Sequence, residues 1–203
     1  MAASIGVRLL AVDPEAYRMA YDVVSNQTLW FVHHGLYDLP RAPAFGRELR
    51  EAWHAYREVN EAFADTVAEV APAGAAVLVQ DYHLGLLGVS LAERRPDLAA
   101  VHFSHTPFAT PTWLRVLPEH IAGEVLSGLA AHRACGFHTR GWAGDFLACA
   151  REVLALSPTT FVSPLPTDAD DVLRAAASPA CEAALTDIEQ EVGDRRVIAR
   201  VDR

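Results

Sequence analysis

Gln80, Asp81, Tyr82 and His83 stand side by side where the apolar run Ala76–Val79 stops, and apolar residues resume at Leu84. A carboxylate at the end of a buried strand has to find hydrogen-bond donors, and sugar hydroxyls are suitable ones. Two further polar clusters have the same setting. Ser104, His105 and Thr106 precede Pro107, and His138, Thr139 and Arg140 follow Gly136 and Phe137. In a parallel sheet successive strands end on one edge, so the three clusters fit a single crevice of the kind where open α/β sheets bind ligands. Read by itself, His105 serves equally well as a satisfied loop histidine, since most loops of such folds carry polar residues.

Other chemistries fit less well. His102 and His105, with His33 and His34, suggest a metal site, yet no cysteine or carboxylate lies at a ligand spacing. An H-x-x-H in an extended segment also points its two imidazoles to opposite faces. Ser104 lacks the G-x-S-x-G frame of a nucleophile elbow. Neither a Walker motif nor G-x-G-x-x-G is present. Hydrolysis by paired carboxylates needs two of them, and only Asp81 stands out. No cofactor and no metal are expected.

The elements that must position these residues alternate along the chain. Val7–Val12 reads as a strand, and Pro14–Val24 as a helix capped by Asp13 with Pro14 at its first position. Ser25 and Asn26 read as a polar break. The aromatic and histidine-rich residues 29–39 follow, and then a turn at Pro40–Pro43. Phe45–Val70 has helical periodicity, with Trp53, Tyr56, Val59, Phe63 and Val67 on one face. Beyond it come strand Ala76–Gln80, helix Leu84–Arg94, strand Ala99–Ser104, helix Pro118–His132, strand Ala134–His138, helix Gly141–Leu156 and strand Thr160–Ser163. A helix at Pro179–Glu191 and a strand at Arg196–Val201 continue the rhythm. Alternation of this kind predicts an α/β fold, a Rossmann-like parallel sheet with helices on both faces.

Composition narrows the class. The 203 residues carry a formal net charge of −9, which argues against a sequence-independent grip on nucleic acid or anionic lipid. Cys135, Cys149 and Cys181 are an odd number without C-x-x-C spacing, and fit a reducing compartment. With no leader and no apolar stretch long enough to span a bilayer, a cytoplasmic protein without a membrane partner is expected.

Six segments together carry a resemblance: YDVVSNQTLW (21–30), VLVQDYHLGLL (77–87), HFSHTPFATP (102–111), LPEHI (117–121), GFHTRGWAGDFLACA (136–150) and ARVDR (199–203). In this order and at these separations the chain resembles the trehalose-6-phosphate synthase family, its actinobacterial type in particular. The resemblance implies a retaining glycosyltransferase of the two-Rossmann-domain, GT-B type, which moves glucose from UDP-glucose to glucose 6-phosphate in trehalose biosynthesis. By that resemblance Tyr21 and Trp30 contact the acceptor, Asp81 of QDYHL binds acceptor hydroxyls, and His105 of SHTPF lies at the donor sugar. Arg203 is preferred for the arginine of the R-x-D motif that meets the donor phosphates, because Arg200, which also begins an R-x-D, falls inside the predicted strand. Asp81 and His105 are the expected catalytic pair. Retention in this family is thought to need no enzyme nucleophile, the leaving phosphate helping to deprotonate the incoming hydroxyl.

Departures from the family pattern set further expectations. Its glycine-rich loop after the first strand is absent, as are the lysine after the R-x-D arginine and the second Rossmann domain, and SPLPTDADD (163–171) differs from the usual P-x-G-[IV]-D linker. Residues 1–192 are expected to form an N-terminal acceptor-side domain, incomplete at its start, and residues 193–203 to begin a nucleotide-sugar-binding domain. A partial chain of this kind should have little or no transferase activity alone, and its uncovered apolar surface should promote weak homo-oligomerisation. The relatives that share these motifs leave glucosylglycerol-phosphate synthase and a non-catalytic sugar-phosphate-binding module as alternatives.

Overall fold

The computed structural model describes residues 6–36 and 44–200. They fall into two compact units, Met1–Pro164 and Leu165–Arg203.

The first unit opens with helical residues in three successive forms: α1 (Pro14–Arg18), a π-helical segment (Met19–Leu29) and α2 (Trp30–His34). Asp13 caps α1 as expected, its carboxylate accepting from the Glu15 and Ala16 N–H groups at 3.1 and 2.9 Å. No break occurs at Ser25 and Asn26. The Ser25 and Thr28 hydroxyls donate back to the carbonyls of Ala20 and Val23, five residues earlier, at 2.9 and 2.8 Å, so polarity that reads as a loop sustains a wide helix instead. Gly35, at φ 64°, ends α2 in the left-handed conformation that glycine adopts without strain. The predicted turn at Pro40–Pro43 lies outside the described residues. Helix α3 (Arg47–Val70) turns Leu49, Trp53, Tyr56, Val59 and Asn60 inward.

Strands β1 (Ala76–Gln80), β2 (Ala99–Ser104), β3 (Ala134–Phe137) and β4 (Thr160–Val162) pair in sequence order, all parallel. They are connected by α4 (Leu87–Arg94), by α5 (Pro111–Leu114) with α6 (Glu119–Ala130), and by α7 (Arg140–Leu154). One face of the sheet, with Val79, His102, Ser104, Cys135 and Phe137, is buried. Its core joins the π segment, α3, α6 and α7, and fully buries Tyr56, Phe137 and Phe146, each worth roughly 1.5–3 kcal/mol in area removed from water. The opposite face is more open, with Leu78 72% exposed. There Gly136 lies between the Phe103 and Phe161 rings, where a β-carbon would collide with both.

Two expected strands are not formed. Residues 6–12 have no regular structure: Val7 and Leu9 face solvent, and Arg8 pairs with Glu69 of α3. Residues 196–200 likewise form no strand. Apolar alternation supplies the propensity in both stretches, but a strand needs a neighbour to receive its backbone hydrogen bonds, and neither stretch has one among the described residues. In the second unit, α9 (Pro179–Val192) begins with Ser178 accepting from the Cys181 N–H, as expected. A helix not expected, α8 (Ala169–Ala176), precedes it, because Asp168 accepts from the Asp171 N–H and so caps what reads as linker.

Candidate functional site

Parallel pairing brings Gln80, Asp81, Ser104, His105, Phe137 and His138 to one edge of the sheet, the carboxyl ends of β1, β2 and β3. The His105 and His138 ring centres are 5.3 Å apart, and Phe103 lies against both, at 4.9 and 5.0 Å. Helix α7 begins directly after β3, with Thr139 as its cap and Arg140 exposed in its first turn.

Asp81 occupies the sharpest bend in this edge. Its backbone has φ 61° and ψ 174°, a region essentially reserved for glycine, at a cost of about 1–3 kcal/mol for any other residue. Besides the 3.4 Å bond that its carbonyl accepts from the Leu84 N–H in the turn that follows, three hydrogen bonds hold it there. The Asp81 N–H donates to the Phe103 carbonyl at 2.8 Å, which extends the β1–β2 ladder. Its carbonyl accepts from His102 Nε2 at 3.0 Å. Its carboxylate Oδ1 accepts from the His105 N–H at 3.1 Å. The strained conformation is over-determined by its surroundings, which is the circumstance in which strain survives at a working site.

The residues after Asp81 form a 3₁₀ turn (Tyr82–Leu84) fastened from beneath by α3. The buried Tyr56 hydroxyl donates to the Tyr82 carbonyl and accepts from the Gly85 N–H. Asn60 accepts from the Leu86 N–H at 3.0 Å and donates to the His83 carbonyl at 3.3 Å. Burial holds the Tyr56 phenol protonated, with its pKa well above the ordinary value. Periodicity alone marks Tyr56 as a core residue and gives no sign of Asn60, since what matters is where the polar atoms of an inward face end up.

Histidines support the edge from within. His102 is almost fully buried, and burial, with His132 at 5.4 Å, lowers its pKa to about 3, so it is neutral and presents Nε2–H to the Asp81 carbonyl. His33, lowered to about 4 by burial, accepts the Ala109 N–H at 3.2 Å. The expectation that His102 and His105 point to opposite faces agrees with the buried and exposed environments they occupy. Among the described residues no three side chains of the metal-binding types converge as an ion would need.

The π segment decides which side chains overlook this edge. Nine residues make two and a half turns of α-helix, which puts Tyr21 and Trp30 on opposite sides. Hydrogen bonding to the fifth residue widens each turn by about one residue, so the same nine span about two turns and return to one side. Burial follows the wider period, with Ala20, Val24, Ser25 and Leu29 buried, while Tyr21, Asn26 and Trp30 are more accessible. From the accessible side Tyr21 stacks on His83 at 5.2 Å and on Tyr17 at 5.4 Å, and Asn26 accepts from the Tyr82 hydroxyl at 3.5 Å. Tyr82 in turn stacks on His83 at 4.3 Å. Beside these rings lies a cavity of about 200 Å³ lined by Tyr17, Tyr21, Phe63, Gln80 and His83 among others. Trp30 stacks on its own helical neighbour His34 at 4.0 Å.

Of the residues singled out in the sequence, Asp81 and His105 are in direct hydrogen-bond contact, and Tyr21 stacks on His83, two residues beyond Asp81. Arg203 lies outside the described residues. The reason for preferring it to Arg200 is lost, because residues 196–200 form no strand. Chemically, the edge offers an acceptor carboxylate, imidazoles and aromatic faces, a set suited to orienting hydroxyls and the apolar face of a sugar ring.

Comparison with known proteins agrees with this chemistry. A family model, glycosyltransferase family 20, matches residues 2–203. The chain is 39% identical over 150 residues to a trehalose-6-phosphate synthase of Mycolicibacterium gilvum, and 37% identical over 148 residues to alpha,alpha-trehalose-phosphate synthase [UDP-forming] 5 of Arabidopsis thaliana. These matches cover 74% and 72% of the chain but only 28% and 17% of the two relatives. A solved alpha,alpha-trehalose-phosphate synthase (UDP-forming) from Burkholderia vietnamiensis superposes with a TM-score of 0.74 at 25% identity, over 90% of this chain and 41% of that one. The chain thus spans less than half the length of the proteins it matches.

Proposed function

Because the chain belongs to glycosyltransferase family 20, we propose that it forms the acceptor side of a retaining, UDP-forming trehalose-6-phosphate synthase, transferring glucose from UDP-glucose to glucose 6-phosphate in the cytoplasm. The observation that carries this reading is Asp81, a carboxylate kept in a glycine-like conformation by three hydrogen bonds at the end of β1. In this reading Asp81 orients acceptor hydroxyls, and Tyr21 and Trp30 offer apolar ring faces to the acceptor. His105, fixed to Asp81 through its backbone, stands at the donor sugar. Catalysis comes from positioning and charge stabilisation, with no enzyme nucleophile and no cofactor.

Either arginine of the ARVDR terminus meets the donor phosphates; Arg200 is the one that opens R-x-D within the chain, as Arg200–Val201–Asp202. Residues 193–203 begin the nucleotide-sugar domain, and residues 1–192 belong to the acceptor domain. The 203 residues alone have little transferase activity, since most donor contacts lie in the second domain. The open sheet face around Leu78 favours weak self-association.

Ligand-observed NMR on the 203-residue chain, with glucose 6-phosphate, glycerol 3-phosphate and glucose in competition, tests this reading. Preferential saturation of glucose 6-phosphate is expected. Preference for glycerol 3-phosphate would replace it with glucosylglycerol-phosphate synthesis, and steady UDP release from UDP-glucose by the chain alone would overturn the expectation of inactivity.

A further inference from the structure

Gln80 is the last residue of β1, exposed, and in register with Phe103 of β2. Its amide Oε1 lies 2.7 Å from Nε2 of the His105 imidazole. An amide oxygen can only accept, so the proton of this bond belongs to the histidine: Nε2 carries hydrogen, and in the neutral ring Nδ1 then keeps its lone pair. Few other restraints act on this exposed ring. Phe103 touches it at a centroid distance of 4.9 Å and His138 at 5.3 Å, and neither contact selects a tautomer. Asp81 meanwhile holds the backbone amide of the same residue. Two consecutive residues of one strand end therefore grip His105 at two points, the carboxylate on the main chain and the amide on the ring.

From this geometry we infer that Gln80 is a positioning residue that fixes the tautomer and orientation of His105. The bond to Gln80 engages Nε2–H and leaves Nδ1 as an acceptor for a hydroxyl donor. The functional consequence, that His105 meets a sugar hydroxyl as an acceptor, rests on the proposed glycosyltransferase reading; the positioning itself does not.

Imidazole ¹⁵N shifts of His105, assigned by comparison with His105→Gln, report the tautomer directly in the 203-residue chain. The Nε2–H form alone is expected in the wild type. Gln80→Glu, whose carboxylate can only accept, should retain it. Gln80→Leu should release the ring into exchange between both tautomers, with far-UV circular dichroism unchanged. A wild-type ring protonated on Nδ1, or a Leu variant with wild-type shifts, would overturn the inference. These spectra are read with no sugar present, so a failure of the positioning and a failure of the glycosyltransferase reading are distinguished.

Discussion

Replacing Asn60 with leucine tests whether the site is carried by α3. Leucine has the branched shape and heavy-atom count of asparagine, so the substitution deletes polar atoms without opening a cavity. The Leu86 N–H, now bonded at 3.0 Å, loses this partner, and the His83 carbonyl loses its 3.3 Å bond. An orphaned donor costs about 1–3 kcal/mol and a lost ordinary hydrogen bond about 0.5–1.5, giving about 1.5–4.5 kcal/mol in all. The third bond, to the Tyr56 carbonyl within α3, contributes little, because the helix ladder already occupies that acceptor. With a urea dependence of about 2 kcal/mol per molar, the unfolding midpoint should fall by about 1–2 M. Circular dichroism and tryptophan fluorescence would record it, Trp53 lying two turns before Asn60 on the same helix. Affinity for glucose 6-phosphate should fall as well, since the Asp81 bend relies on the turn that follows it. A midpoint within about 0.3 M of the wild type would refute the idea that Asn60 anchors the 82–86 segment.

Acid should loosen the fold before carboxylates titrate. His33 and His102 are held near about 4 and about 3 by burial, below the ordinary value of 6.5, so below pH 6.5 the unfolded chain takes up protons that the folded chain refuses. Stability is complete above that pH and falls by about 1.4 kcal/mol per unit for each group, or about 4 kcal/mol for the pair between pH 6.5 and 5. Urea midpoints at pH 7.5, 6 and 5 would show it, and His102→Gln should reduce the slope by about half; equal midpoints at all three would contradict it. At Asp81, glycine and alanine remove the same carboxylate, but only alanine retains the strain of φ 61°. Asp81→Gly should therefore be more stable than Asp81→Ala by about 1–3 kcal/mol in thermal or urea unfolding, and equal stabilities would mean the bend stores no strain.

The sheet was legible because buried strands leave continuous apolar runs: AVLVQ and AAVHFS mark β1 and β2 to the residue. The helices between the strands were legible from the alternation of the elements, except the short α5, which was not expected. What could not be read depends on partners remote in sequence. Val7–Val12 and residues 196–200 have strand-like composition and, among the described residues, no strand to pair with, whereas Ser25 and Asn26 look like a break, yet Ser25 and Thr28 sustain a π-helix by bonding five residues back. Asp81 stood out in the sequence as a candidate carboxylate, but its strain did not, since aspartate tolerates unusual backbone and gives no compositional sign of it. Tyr56 and Asn60 read as positions on a helix face; only the fold reveals that they hold the loop on which the site is built.

The central claim is that the strand-end carboxylate is one wall of an acceptor pocket. Calorimetric titration of the 203-residue chain with glucose 6-phosphate, repeated on Asp81→Ala, tests it most directly. Saturable binding by the wild type that disappears in a variant still folded by circular dichroism is the predicted result. A folded wild-type chain that takes up no glucose 6-phosphate, or an Asp81→Ala chain that binds it equally well, would contradict the account.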